Sequence, residues 1–544
     1  MISLFSVNGL KRIAAASLGG FALAWALENP RTGLGWAVAL AALGCVAYSV
    51  FGQGLSWRCA AGIVSGVVFF GSSNGWARLF GDHAWVALAL ALTAFWTAGL
   101  VVGGFPRATK VFVPVFAASV SLAELARTRF PLGGYGLSLV GYTQVGGPLK
   151  WLARWFGTAG VSLVSAAIGG ALAATYAGLR GQLRRPLAGS RRRSLAASAM
   201  ALVFVGLLGH LLEDASYRGP AQNPAGTVGS KAAEIAQTDL SLHRIATSNP
   251  RGGRLRVAVT QVYDFERGLT PEEEESGFLQ SLLADATAAL RGQGVDLVVW
   301  PEGSLGSKAP ETELSAEAAI AAAAANASAF IWANGQPATV LPGRFVNRNY
   351  LFDPGGKLVA VSDKTKLVPF GEYVPLRSFL QPRVRMLDRV PIDAQSSRSV
   401  VFSLNGIRLG AVVCFESTFG DFVRQKVSGG AEMIVVETNN RSFERSNLST
   451  QHVTASRMRA IETDRFVVHA ALSGISAVFA PDGSYLAEAG LYEKKTIVAD
   501  VEARSSITPY VRFGDFPVAA FSVGLLAFGI LVNRKDGKRD LVRQ

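Results

Sequence analysis

Apolar runs of near-membrane length dominate the first two fifths of the chain. They occupy residues 10–28, 34–53, 59–76, 83–104, 108–126, 158–178 and 194–212, and one more lies at 516–533. Each is close to the ~20 residues a helix needs to cross a hydrocarbon core. The pattern changes between them. From Arg254, short apolar strands are expected at 254–262, 295–300, 407–414, 431–438, 466–471, 475–480 and 495–501, with helical stretches at 271–291, 313–329 and 449–463. Such alternation predicts a layered α/β domain. Residues 213–253 are polar and rich in Gly, Pro, Ser and Thr, and read as a tether. The expected organisation is a membrane domain at 1–212 with seven transmembrane helices, the tether at 213–253, and a globular domain at 254–507. A re-entry segment with an eighth span follows at 508–533, and a basic tail at 534–544.

Charge gives these spans a direction. Basic residues cluster at span ends: Lys11 and Arg12, Arg58, Arg107 and Lys110, the group Arg180, Arg184, Arg185, Arg191, Arg192 and Arg193, and the tail residues Arg534, Lys535, Lys538, Arg539 and Arg543. If all eight spans cross, every cluster falls on one face, which the positive-inside rule makes cytoplasmic. The globular domain then lies on the extracytoplasmic side. No small-residue cleavage site follows the first span, so it is expected to be retained. Half of the residues are hydrophobic, only 17% are charged, and the mean hydropathy is +0.29, as in a polytopic membrane protein. Placed at span ends, the net charge of +14 reflects topology and gives no reason to expect nucleic acid as a partner.

The three cysteines suggest neither a disulfide framework nor a metal site, because Cys45 and Cys59 belong to apolar spans and Cys414 stands alone. An isolated cysteine at a strand end is most often a small buried hydrophobe. Its company argues otherwise. Cys414 ends the run from Ile407 to Val413, Glu302 follows the run from Val295 to Pro301, and Lys364 precedes the segment from Leu367 to Tyr373. A thiol must lose its proton to attack an acyl carbon, a carboxylate can take that proton, and an ammonium can stabilise the oxyanion that results.

The segments Val299-Trp300-Pro301-Glu302, Lys364-Thr365-Lys366-Leu367-Val368-Pro369-Phe370-Gly371-Glu372-Tyr373-Val374-Pro375 and Val413-Cys414-Phe415-Glu416 resemble the Glu–Lys–Cys motifs of the nitrilase (carbon–nitrogen hydrolase) superfamily. Within it the match is nearest to the apolipoprotein N-acyltransferase family. Gln451-His452 with the helix around Arg457 to Glu462, the stretch 508–517, and the loop carrying Glu124 to Arg127, Phe130-Pro131 and Gly141 to Gln144 are similar to further parts of that family. The resemblance implies a nitrilase-like αββα sandwich, with Cys414 as nucleophile, Glu302 as general base and Lys364 as stabiliser of the tetrahedral intermediate. Glu372 and Glu416 would support them, and Phe370, Tyr373 and Phe415 would line the path of an acyl chain. Tyr135 and Tyr142 are expected as aromatic anchors at the membrane interface.

The implied reaction is a two-step transfer in the inner membrane of a bacterium, with the catalytic domain periplasmic. The thiolate takes the sn-1 acyl chain of a glycerophospholipid, typically phosphatidylethanolamine, and passes it to the α-amine of an apolipoprotein's diacylglyceryl-cysteine. Passing a thioester to an amide runs downhill, so no metal, soluble cofactor or ATP is implied. The chain departs from the family pattern in its loops: Val262-Tyr263-Asp264-Phe265-Glu266-Arg267-Gly268 after Gln261 lacks the usual Gly-Asn stretch and Trp, Thr438-Asn439-Asn440-Arg441-Ser442-Phe443 lacks the usual Asp and Trp, and Leu472-Ser473 replaces an Asn pair. The competing readings are a membrane-tethered amidase with the same triad, in which water accepts the acyl group, and a non-catalytic membrane scaffold. The match in the membrane half weighs against the first, and the intact triad against the second. A transporter would need buried charges and paired broken helices that the spans do not display.

Overall fold

The computed structural model describes residues 7–106, 108–180, 243–244, 253–263, 270, 273, 277–306, 314–337, 344–384, 387–388, 390, 392–393 and 400–541. The chain divides into two compact units: Met1–Arg218 with Ser446–Thr454 and Thr508–Gln544, and Gly219–Arg445 with Ala455–Ile507.

The first unit is helical. Its helices are α1 (Val7–Glu28), α2 (Gly35–Val50), α3 (Leu55–Ser73), α4 (Asp82–Gly103), α5 (Thr109–Arg127) and α6 (Ala153–Leu179), together with a C-terminal helix, Phe516–Leu541. Among the described residues six helices are long and apolar enough to cross a membrane. The expected span at 34–53 is the shorter α2, and the one at 194–212 lies outside the described residues, as does most of the expected tether. The sixth helix starts earlier than its apolar run because it breaks at Gly157, whose φ is +65°, just ahead of the predicted start at 158.

Small residues hold these helices close. A Cβ on Gly20 would sit 2.4 Å from the Ser65 carbonyl oxygen, and one on Gly99 would sit 3.0 Å from that of Ser119. Close backbone approach replaces the hydrophobic drive that lipid cannot supply between helices. Several polar groups inside the unit bond one another. Glu124 accepts the Val140 N–H at 2.7 Å, and Arg127 donates to the Leu137 and Ser138 carbonyls at 2.8 and 2.6 Å. The Gln451 carbonyl oxygen accepts the Ser138 N–H at 3.0 Å, and its amide donates to the Ser73 carbonyl at 2.6 Å. Glu124 and Arg127 of the motif thus tie the loop around 124–144 into the helical unit. Tyr142 is buried, so it is not the exposed interfacial anchor expected of it, and Tyr135 is partly buried and donates its hydroxyl to Asn74 Oδ1.

The second unit is a sandwich of two sheets. The first sheet contains β1 (Arg254–Gln261), β2 (Leu297–Val299), β3 (Phe330–Gly335), β4 (Arg348–Phe352) and β5 (Leu358–Asp363). The second contains β6 (Val401–Leu404), β7 (Ile407–Val413), β8 (Met433–Thr438), β9 (Val467–Ala471), β10 (Ser476–Phe479) and β11 (Tyr485–Ala489). A last strand, β12 (Lys495–Glu502), returns to the first sheet, whose order is β12-β1-β2-β3-β4-β5; β6 to β11 are neighbours in sequence order. The central pairs β1–β2–β3 and β7–β8–β9 are parallel, and the other pairs among these twelve strands antiparallel. Strands buried on both faces read as continuous apolar runs, as Leu297-Val298-Val299 does.

Helices α7 (Phe278–Ala288) and α8 (Leu314–Ala327) cover the first sheet, where Leu279, Leu283, Ile320 and Ala324 share a core with Ala258, Val298, Ile331 and Phe352. The helix Gly420–Ser428 packs on the second sheet, with Lys426 beside Gly410 and Ile434. From the helix Leu448–Thr463, Ser456 bonds His469 Nδ1 at 2.8 Å. Phe402 of one sheet meets Trp332 of the other edge-on at 4.7 Å. This is the nitrilase-like αββα architecture.

Candidate active site

Three strand ends of the sandwich bring the motif residues together. Beyond β2 the chain turns at Trp300-Pro301. The fully buried Trp300 donates Nε1–H to Thr287 at 3.0 Å, which anchors the turn that presents Glu302. Glu302 is itself buried. Its Oε1 accepts the Asn347 amide at 2.8 Å and the Lys364 ammonium at 3.5 Å, and its Oε2 accepts the Asn439 N–H at 2.8 Å.

Lys364 follows β5 directly, and its backbone N–H bonds the Asn347 carbonyl at 2.8 Å. The following run curls back on itself. Phe370 adopts φ +63° and its N–H reaches the Tyr373 carbonyl at 2.7 Å, while Glu372 Oε2 accepts the Val368 N–H at 2.8 Å. The curl aims Glu372 Oε1 at the Lys364 ammonium, 2.5 Å away. Burial works against the charge on Lys364, but Glu372, Glu302 and Cys414 outweigh it and hold its pKa well above the ordinary range. Two of the ammonium's three N–H bonds are engaged by carboxylates, and the third remains for chemistry.

Cys414 leaves β7 with φ +51°, a left-handed conformation that costs a non-glycine residue roughly 1 kcal/mol or more. Glu416 fixes the turn. Its Oε2 accepts the Val413 N–H at 2.9 Å, and its Oε1 accepts the N–H groups of Thr365 and Lys366 at 2.8 and 2.9 Å. One carboxylate thus ties the turn at Cys414 to the loop after Lys364. Cys414 is half-buried overall, yet its thiol has interior surroundings, and burial followed by the charge of Glu302 pushes its pKa up to about 12 against the pull of Lys364. The thiol is therefore neutral at rest, and proton removal must accompany attack.

None of the three aromatic candidates is fully buried. Phe370 is 47% exposed, Tyr373 is partly buried, and Phe415 packs edge-on against Phe419 at 4.9 Å. Several groups escaped the sequence reading. Asn334 donates to Asn347 Oδ1 at 2.8 Å and accepts the Gly303 N–H at 2.9 Å, bracing both the base's amide donor and its neighbour in the chain. The signal was available, since asparagines at 334, 347 and 349 interrupt apolar strand sequence. Glu437 on β8 is fully buried. Burial and the charge of Glu302 hold its pKa well above the carboxylate range. Among the described residues no cluster of His, Cys, Asp and Glu could hold a metal ion.

Residues 256–510 match the family model for carbon–nitrogen hydrolase, and residues 19–171 match that for the apolipoprotein N-acyltransferase N-terminal domain. An apolipoprotein N-acyltransferase of Pseudomonas syringae pv. tomato is 25% identical over 91% of this chain and 88% of its own length. One from Mycolicibacterium smegmatis is 29% identical, and there the match spans 48% of this chain but only 45% of the relative. Among solved structures, an amidase from Nesterenkonia sp. aligns at 20% identity and a TM-score of 0.37, covering 50% of this chain and 97% of that one. Two family models in succession and a relative aligned along nearly the whole chain place it in the apolipoprotein N-acyltransferase family of the nitrilase superfamily.

Proposed function

We propose that the protein is a membrane N-acyltransferase that completes lipoprotein maturation, with Cys414 as nucleophile, Glu302 as base and Lys364 as the oxyanion's partner. The observation that carries this reading is the buried Glu302–Lys364–Glu372 cluster, set beside a cysteine in a left-handed turn. The membrane-length helices of the same chain suit a lipid donor.

In the first half-reaction Glu302 takes the Cys414 proton as the sulfur attacks the ester carbonyl at the sn-1 position of a glycerophospholipid, phosphatidylethanolamine being the expected donor. The developing oxyanion is met by the remaining N–H of Lys364. Collapse of the tetrahedral species returns the proton from Glu302 to the departing glycerol oxygen, leaving a thioester and a lysophospholipid. In the second half-reaction the α-amine of a diacylglyceryl-modified N-terminal cysteine attacks the thioester. Glu302 removes the amine's proton, the amide forms, and the thiolate leaves and recovers that proton. Glu372 keeps Lys364 charged and in place, and Glu416 holds the two loops together. Burial keeps water from the thioester. The domain limits remain those set by hydropathy, with the catalytic domain on the periplasmic face of a bacterial inner membrane.

The direct test is incubation of the purified protein with phosphatidylethanolamine labelled in its sn-1 chain, followed by intact mass. The expected result is a hydroxylamine-sensitive acyl adduct that is absent from Cys414→Ala. No adduct with phospholipid, together with ammonia release from small amides, would replace the acyltransferase by a hydrolase.

A further inference from the structure

The sulfur of Cys414 has a neighbour that the Glu–Lys–Cys scheme does not use. Thr438 closes β8, one residue beyond the parallel pairing of Val413 with Glu437, so its side chain and that of Cys414 emerge on the same face. The Thr438 hydroxyl lies 3.4 Å from Cys414 Sγ and 2.9 Å from Asn440 Oδ1. Both Thr438 and Asn440 are buried. Asn440 is seated against Gly474, where a Cβ would fall 2.6 Å from its Nδ2 and 3.1 Å from its own Cβ. The β-branched side chain of Thr438 has little rotamer freedom, so its oxygen stays between the two acceptors.

A hydroxyl carries one hydrogen and can donate to only one acceptor at a time. A neutral thiol is a weak acceptor, and the amide oxygen of Asn440 is the better partner at rest. A thiolate reverses the preference, because hydrogen bonds to an ionised group are roughly twice as strong as neutral ones. Lys364 cannot give the sulfur the same service undivided, since two of its N–H bonds are held by Glu302 and Glu372. The hydrogen bond from Thr438 also acts to lower the thiol pKa, against the larger effects of burial and Glu302.

We propose that Thr438 is a further catalytic residue, whose hydroxyl hydrogen turns from Asn440 to the Cys414 sulfur whenever that sulfur carries charge. No proton is transferred through it. The thiol proton goes to Glu302, the Thr438 O–H bond stays intact, and its hydrogen rotates toward the thiolate. When the carbon–sulfur bond forms, the sulfur loses its charge and the hydrogen returns to Asn440. When the amine expels the sulfur, the hydrogen turns back. The thiolate contact stands on geometry alone; the alternation during turnover rests on the acyl-transfer reading.

The test follows alkylation of Cys414 by iodoacetamide in the full-length protein, resolved by peptide mass spectrometry because Cys45 and Cys59 are also free thiols. At each pH between about 8 and 10, Thr438→Val is expected to slow alkylation about tenfold, equivalent to a thiol pKa about one unit higher. Thr438→Ser is expected to restore the rate to within about threefold. In acyl transfer, kcat should fall with the same ordering while KM for the donor stays near its wild-type value. Unchanged alkylation in Thr438→Val, or equal slowing in Thr438→Val and Thr438→Ser, would overturn the proposal. Should valine prevent folding, Thr438→Ala carries the same comparison. Because alkylation needs no acyl donor, a wild-type protein that forms no thioester would defeat the acyltransferase reading while still deciding the role of Thr438.

Discussion

The loop after Lys364 and the turn after Cys414 each place a glutamate a few residues beyond a reactive group, and the two glutamates do different jobs. Glu372 spends one oxygen on the Lys364 ammonium and the other on the Val368 N–H. Glu416 spends both on backbone amides, two from the lysine loop and one from the strand before the cysteine. The first belongs to the charge balance of the site and the second to its scaffold. A carboxylate's role is therefore set by what its oxygens bond, and closeness to a nucleophile in sequence says little about it.

The comparison can be tested in decreasing order of effect. Removing a reacting group should cost most: Cys414→Ala should form no acyl adduct, and Lys364→Ala should lose about a hundredfold to a thousandfold in acyl transfer. Near-normal single-turnover acylation of Lys364→Ala would remove it from the oxyanion role. Glu302→Gln should move two measurements in opposite directions. Acyl transfer near neutrality should fall by about a hundredfold or more for want of a base. Alkylation of Cys414 at about pH 9 should instead rise several-fold, because the charge that lifts the thiol pKa is gone. A fall in both would mean that Glu302 only holds the cysteine in place.

The two supporting glutamates separate next. Glu372→Gln keeps an oxygen for Lys364 but removes the charge, and should lower acyl transfer roughly tenfold with little change in thermal unfolding. Glu416→Gln cannot accept all three backbone donors, and should lower stability by about 1–3 kcal/mol while turnover per folded molecule changes less. An exchange of those two outcomes would reverse the assignment of charge partner and scaffold. The smallest effect is in the wild type: with a thiol pKa of about 12, alkylation of Cys414 should climb about tenfold per pH unit from pH 8 to 11. A plateau near the ordinary thiol range would show that burial does not control this cysteine.

The order of these elements was legible in the sequence to an uneven degree. Strands written as unbroken apolar runs were found within a residue or two. The central strand β3, the strands β4 to β6 and β11 were missed. Phe330–Gly335 and Arg348–Phe352 are interrupted by asparagine and arginine, and the turn between β4 and β5 rests on Asp353, which accepts the N–H groups of Gly355 and Lys357 at 2.9 Å each. The short helix Gly420–Ser428 was missed as well. Glu302, Lys364 and Glu372 could be singled out because their flanking runs are distinctive, and the fold brings them within bonding distance. Asn334 and Asn347 show in the sequence only as polar residues interrupting apolar runs, and Thr438 not at all, since their parts depend on which strand lies next to which. That adjacency is a long-range property that no local pattern carries.

Three amide hydrogens, those of Val413, Thr365 and Lys366, share the single carboxylate of Glu416 although about fifty residues of chain separate the first from the other two. A fluctuation that swings this carboxylate away frees all three at once. In deuterated buffer they should exchange as one group, at a rate set by one opening event. Cys414 and the Lys364 ammonium should then be exposed or protected together, so that in the proposed reaction one opening event governs both.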